Sequence, residues 1–442
     1  MMRLATPRPH AGAYRPALAG IDLGIAGILA VAVLGGYAGF ALRLARGRYM
    51  EFYNLAFDFD PPRYVGLLAL AEYERGNVKH PLVLLLRPLA WPLLEAGFDA
   101  KAASGLVMAG FGAATVAVVF LFLRRLAVAR APAVALAALF AVSGCQMFTA
   151  IIPEAYGPAA FGIACVWLLA AWRLEDLRRG RVLRFAVAVF SYGITTTNLM
   201  QPLLAEALAW LRNKGLTGRG LRGVVGPLLR YGIVVAVLCA GLTAIVWFDV
   251  LRGFLADPVA VAKEVYWQRT KGDRVGLVDV VLRLAGYGVV SPEFSIVRLP
   301  EGIAMLDFRA PRFGPLAAAA SVLWHLFWLA GAAAMLLRPA TRWIGAGLAA
   351  ALVLNIVFHL DFQYRGSLYL YAAHTHFLVF ALGAGLAPAL RPGSTAARLY
   401  LAAVVLLVGL VGAVNFDRVR GFTAAFDTVE VDCQAPCTEP SR

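Results

Sequence analysis

The run LAGIDLGIAGILAVAVLGGYAGFAL, residues 18–42, decides the fold. An α-helix needs about 20 apolar residues to cross the hydrocarbon core of a bilayer, and this run supplies them. It is too long for the core of a secretory signal and lacks a small-residue cleavage site, so it is expected to persist as a first span. Apolar runs of similar length recur along nearly the whole chain. The 442 residues are 61% hydrophobic and 15% charged, with a mean hydropathy of +0.72. Soluble domains are only about half apolar. The sequence therefore predicts an all-α, polytopic transmembrane helical bundle, organised as a single integral membrane domain over residues 1–442.

The formal net charge of +15 does not point to nucleic acid. Its arginines fall in short clusters between apolar runs, as membrane topology and anionic headgroups require, rather than on one soluble face. The clusters are Arg124, Arg125 and Arg130; Arg173, Arg178, Arg179, Arg181 and Arg184; Arg212, Lys214, Arg219, Arg222 and Arg230; Arg338 with Arg342; and Arg391 with Arg398. Short loops keep positive charge on the cytoplasmic side, so these loops are expected inside. The connections around Glu154, Asn198 and Asp361, which hold only Arg365 between them, are expected outside. Arg43, Arg46 and Arg48 conflict locally with this assignment and are outvoted by the later loops. Spans are expected to begin near residues 19, 102, 131, 156, 184, 200, 231, 314, 342, 368 and 399, which makes about eleven crossings.

The segment from Phe185 to Leu211 lies between two basic clusters and is too short to cross twice. It is expected to turn back within the membrane at Thr195, Thr196, Thr197 and Asn198, beside a cavity that can accommodate irregular backbone. Two long outer loops, residues 43–101 and 252–313, carry apolar stretches (Pro81–Leu94 and Val278–Val290) suited to helices lying in the interface. Cys145, Cys165 and Cys239 fall within spans and read as buried thiols. Cys433 and Cys437, in an outer C-terminal tail (residues 416–442), are candidates for a disulfide, since the tail offers no further metal ligands.

The chemistry-bearing residues concentrate outside. The first outer loop reads Phe52-Tyr-Asn-Leu-Ala-Phe-Asp58-Phe-Asp60-Pro-Pro-Arg-Tyr64, followed by Lys79, His80 and Pro81. Two carboxylates two residues apart, flanked by aromatics at the end of a span, are costly near lipid unless they serve a site or reach water. Either Asp58 or Asp60 can act as a general base; the plainer alternative is a solvated turn with one acid capping a helix. This layout resembles the GT-C superfamily of membrane glycosyltransferases, which includes protein O-mannosyltransferases, lipid A aminoarabinose transferases and mycobacterial arabinofuranosyltransferases. The resemblance covers most of the chain: a first span, a long outer loop opening on an acidic pair, an interfacial helix starting at His80-Pro81, many further spans and a second large outer loop.

The resemblance implies that Asp58 or Asp60 is the catalytic base. It also brings Glu154, in Ile152-Pro-Glu-Ala-Tyr-Gly157, to the same cavity as an acceptor ligand, a metal ligand or a helix cap. A tightly held divalent ion is not predicted, because members differ in metal dependence. The implied donor is a polyprenyl-phosphate sugar, and the implied acceptor a lipid, glycan or protein. For the donor phosphate or its lipid the candidates are Arg365 and Tyr364 in Asp361-Phe-Gln-Tyr-Arg365, His80, and Tyr371 with His374, which can share a helix face. Arg269, Lys271 and Arg274 are weaker candidates, and His325 and His359 read as polar groups satisfied within the bundle. Direct displacement by an acceptor hydroxyl would invert the anomeric centre. The Ala, Arg and Gly bias fits a bacterium of high genomic GC, whose inner membrane would put the site on the periplasmic face. The alternatives are an O-antigen-type polymerase or ligase, expected to carry its arginines and histidine in a late outer loop, and a secondary transporter, expected to show repeat symmetry and a site at the bilayer midplane.

Overall fold

The computed structural model of the protein describes residues 18–70, 80, 82–215, 218–246, 274–298, 304–309, 311–363 and 367–426, with positions 248, 252, 255–259 and 263 between them. Its helices are α1 (Gly20–Arg46), α2 (Pro61–Val65), α3 (Arg87–Glu95), α4 (Ala100–Arg125), α5 (Arg130–Ala141), α6 (Gly144–Ile151), α7 (Tyr156–Arg173) and α8 (Leu183–Ile194). They continue with α9 (Met200–Lys214), α10 (Gly218–Val246), α11 (Leu277–Val281), α12 (Pro315–Leu337), α13 (Arg342–Asp361), α14 (Ala373–Gly383) and α15 (Thr395–Ala425). The boundaries follow local chemistry. The Asp99 carboxylate accepts from the Ala102 amide at the start of α4 (2.8 Å), Ser394 caps α15 through the Ala397 amide (3.2 Å), and Pro315 stands in the first turn of α12, where no amide donor is needed.

The chain is an integral membrane protein of helical architecture. Among the described residues, seven helices are long and apolar enough to span a bilayer: α1, α4, residues 222–246 of α10, α12, α13, the segment Leu368–Ala389 that contains α14, and α15. The number rises to eight if α5 and α6, bent by 61° at Val142–Ser143, form one broken crossing. Among the described residues that is fewer than the expected eleven. The apolar runs at 184 and 200 give helices of 12 and 15 residues, short of the roughly 17–25 that a full crossing takes, while the run at 156 gives an 18-residue helix at the low end of that range. Between α8 and α9 a 3-10 turn, Thr196–Leu199, breaks the helix at the expected polar run, with Asn198 buried.

Helix α4 is central, buried between α1, α5, α6 and α7, while α1, α10 and α12 leave most of their apolar surface uncovered, as lipid-facing helices do. The basic clusters do more than set topology. Asp22, fully buried on α1, accepts from Arg124 Nε (3.0 Å) and Arg130 Nε (2.8 Å). Glu206 on α9 pairs with Arg173 (2.9 Å) and Arg184, and Arg125 pairs with Glu175. Buried charges persist only when paired in this way. Cys145 and Cys239 are buried and Cys165 half-buried, all three as free thiols. Cys433 and Cys437 lie outside the described residues.

The second outer loop brings a feature that the sequence did not announce. Ser295–Arg298 (β1) and Ala304–Asp307 (β2) form an antiparallel hairpin, with Ser295 opposite Asp307. The apolar stretch before it is only partly helical: α11 passes into a π-helical turn, Leu282–Gly286, and then into a turn over residues 287–289. That turn enters the break between α5 and α6. The Gly144 amide donates to the Val289 carbonyl (3.2 Å) and the Cys145 amide to that of Gly288 (2.8 Å). In the first outer loop, α3 leaves Leu89 and Trp91 exposed, consistent with the interfacial helix expected there.

Candidate functional site

The first-loop motif folds around Phe57. Its ring is fully buried, with ring centroids 4.7 Å from Tyr369, 4.8 Å from Phe308 and 5.3 Å from Phe148. To place that ring inward, Phe57 and Asp58 both adopt left-handed backbone (φ +53° and +61°), and Asn54 does so at the start of the turn (φ +62°). Such conformations cost L-residues about 1–2 kcal/mol each and persist where the surroundings enforce them. Here the enforcement comes from the hairpin. The Phe57 amide donates to the Leu306 carbonyl (2.8 Å), the Leu306 amide donates back to that of Leu55 (2.9 Å), and the Asp58 amide meets Met305 Sδ at 3.1 Å. The two outer loops, distant in sequence, thus lock each other.

The two acids are separated by this turn. Asp58 is 5% exposed, enclosed on the hairpin side. Asp60 keeps 22% of its side chain exposed and pairs with Arg63 Nη1 at 2.6 Å, while the Arg63 guanidinium lies over the Tyr53 ring (5.8 Å). The Asp60 amide donates to Glu154 Oε2 at 2.8 Å. Glu154, buried in the turn between α6 and α7, also accepts from its neighbour's amide, Ala155 (3.1 Å), and from the Tyr64 hydroxyl. Burial, and next the negative charge of Asp60, push the Glu154 carboxyl up to about 8, against the pull of its three donors. Burial likewise holds the Tyr64 phenol well above its usual range, so it stays a donor.

Around the acids stands a ring of aromatic and imidazole side chains. Tyr156 lies 6.0 Å from Phe59, 6.4 Å from His80, 6.0 Å from Tyr371 and 5.4 Å from His374, measured between ring centroids. His359 stacks on Tyr371 at 4.4 Å. The His80 Nδ1 is 2.7 Å from the Ile194 carbonyl, and the Leu82 amide donates to the Gly193 carbonyl (2.7 Å). These bonds dock the first loop on the break between α8 and α9. The fold thus brings Asp60, Glu154, His80, Tyr371 and His374 into one neighbourhood, with Asp58 behind them. Arg365 and Tyr364, like Arg269 and Lys271, lie outside the described residues.

Sequence reasoning missed a second group of charges. Asp307 is buried at the end of β2, where burial raises its carboxyl although Arg309 and Arg283 oppose the shift. Its Oδ2 accepts from Arg309 Nε (3.1 Å), and Arg309 Nη2 donates to Ser367 Oγ (3.2 Å). Ser367 Oγ in turn lies 3.9 Å from the same Met305 sulfur that the Asp58 amide meets. The run Asp307-Phe-Arg309 was legible as an acid–base pair, but nothing in the sequence placed it beside Asp58.

As to a metal, among the described residues no three His, Cys, Asp or Glu side chains are arranged to hold a cation. Glu154 is engaged by two amides and a phenol, and Asp60 by a guanidinium. That set of partners suits carboxylates held by hydrogen-bond donors.

No family model matches the sequence, and no curated protein matches it. Solved structures similar to this chain include three of the Archaeoglobus fulgidus oligosaccharyltransferase. The apo form is 15% identical over 91% of this chain and 57% of that one, with a TM-score of 0.42. The form tethered to an acceptor peptide is 14% identical over 91% and 56%, with a TM-score of 0.47. The complex with zinc and sulfate is 13% identical over 95% and 59%, with a TM-score of 0.40. The present chain therefore spans less than two thirds of the length of the proteins it matches.

Proposed function

We propose that the protein is a membrane glycosyltransferase that moves a sugar from a polyprenyl-phosphate donor to a hydroxyl acceptor at the outer face of the membrane, periplasmic in a bacterial inner membrane. The observation that carries this reading is the junction of the two outer acid motifs, where the Asp60 amide is bound to Glu154 at 2.8 Å beneath a partly exposed Asp60 carboxylate. Asp60 takes the proton of the acceptor hydroxyl as its oxygen attacks the anomeric carbon. The bond from that carbon to the donor phosphate breaks, the phosphate leaves with the electron pair, and the anomeric centre inverts. Asp60 is assigned over Asp58 because a base must reach its substrate, and Asp58 is enclosed by the Phe57 turn. Arg63 orients the Asp60 carboxylate and Glu154 fixes the backbone that carries it.

The departing phosphate needs positive charge. Arg309, held by Asp307 and Ser367 and separated from the Asp58 amide by Ser367 and the Met305 sulfur, supplies it together with Arg283 and with Arg365, two residues from Ser367 in sequence. Tyr371 and His374, packed against Tyr156 beside the acids, take the sugar and the first part of the lipid.

The test is turnover with a purified lipid-phosphate sugar and membranes as acceptor source. Asp60→Asn keeps shape and should lower turnover by about two to four orders of magnitude while donor binding survives. Arg309→Ala should weaken donor binding instead, and Arg309→Lys should restore it only partly, because a point charge replaces a planar fork of donors. Near-normal transfer by Asp60→Asn combined with loss in Asp58→Asn would move the base to Asp58. Retention of transfer by both would remove it from this loop. Uptake of a solute in place of transfer would favour a transporter.

A further inference from the structure

Away from the acid site, helices α5 and α15 leave a groove between them of about 500 Å³, lined by Ala131, Val134, Ala138, Leu401, Val405 and Val408 with almost no polar surface. The two helices run parallel and in step. Val142 at the end of α5 packs against Gly412, and the Asn415 side chain donates to the Val142 carbonyl (2.8 Å), so residues 131–138 and 401–408 precede these contacts side by side. The same end of both helices therefore carries a cation: Arg130 opens α5 and also lines the groove, and Arg398 stands one turn before Leu401 on the same face of α15.

The two arginines are not equivalent. Arg130 gives its Nε to buried Asp22 (2.8 Å), which fixes the plane of the guanidinium, yet the side chain remains 46% exposed. Since Asp22 is shared with Arg124, the trio keeps a net positive charge. Arg398 is exposed and pairs with no acid among the described residues. An apolar channel about 12 Å long, at 1.5 Å per helical residue, thus ends at one oriented and one exposed guanidinium. Its shape and charge fit one acyl chain lying along the helices and a phosphate at their end.

We propose that this groove is a binding site for an anionic glycerophospholipid, with the acyl chain between α5 and α15 and the headgroup phosphate held by Arg130 and Arg398. The site is independent of the transfer chemistry and survives if that reading fails.

Native mass spectrometry of the detergent-purified protein with equimolar phosphatidylglycerol and phosphatidylcholine tests it. The wild type should retain phosphatidylglycerol preferentially. Arg130→Gln or Arg398→Gln should lower that preference about fivefold, and the double variant about 25-fold. Arg124 continues to pair with Asp22 in these variants, and helical circular dichroism verifies that they fold. Ala138→Phe, which fills the groove and keeps the charges, should reduce retention of phosphatidylglycerol. Equal retention of the two lipids by the wild type, or an unchanged preference in the double variant, would overturn the proposal. So would complete displacement of phosphatidylglycerol by millimolar inorganic phosphate, which would mark a site for a free anion.

Discussion

Glu154 behaves unlike its exposed counterpart. Its carboxyl is raised to about 8 in the folded protein, from 4.5 when exposed, by burial first and by Asp60 second. Between those values the folded state binds more protons than the unfolded one, so stability falls as pH rises through that window. The thermal midpoint in detergent should therefore decline from about pH 5 to about pH 8, and Glu154→Gln, which carries no titratable proton, should flatten the decline. An unchanged slope in that variant would place the titration elsewhere. The sequence singled out Glu154 beside a proline at an outer turn. That its carboxylate would accept from the backbone of Asp60 depends on a contact across 94 residues that no local pattern encodes.

Asn415 shows what an interrupted element requires. Where α5 breaks into α6, the carbonyls of Val142 and Val289 and the amide of Ser291 need partners inside the bundle. The fully buried Asn415 side chain supplies all three, with bonds of 2.8, 2.7 and 3.0 Å. Asn415→Leu keeps volume but strands the Val142 carbonyl and the Ser291 amide, each worth about 1–3 kcal/mol of lost solvation, and leaves the Val289 carbonyl with the Gly144 amide alone. It should lower the unfolding midpoint sharply and, because the Ser291 segment leads into the hairpin that holds Phe57 and Asp58, reduce transfer as well. A variant of wild-type stability and activity would sink this account. At this scale the sequence was informative where periodicity and polarity change together: the starts of the long helices, apart from α10, which begins at Gly218 and not near residue 231, and the break at Thr196–Leu199 lie where they were expected. It was uninformative at the hairpin, because Ser295–Arg298 and Ala304–Asp307 are short, and their pairing depends on what they pack against. The excess of expected crossings has a similar cause, since hydropathy registers a buried half-span and a full span alike.

At the scale of the molecule, the basic ends of α4, α7 and α9 belong to one side and the acid site to the other. A phosphatase reporter fused after Glu154 or at residue 426 should be active, and one fused at Arg178 inactive. The reverse pattern would put Asp60 and Glu154 in the cytoplasm and remove the proposed site from the outer face. The bundle has a further consequence in time. Asp22 rides on the first helix, yet its partners Arg124 and Arg130 follow it by 102 and 108 residues. At about 5–20 residues per second, a ribosome delivers them roughly 5–20 seconds later. Through that interval α1 must wait at the insertion machinery with a carboxylate that has no counter-ion, and it can settle only once α4 and the start of α5 have emerged.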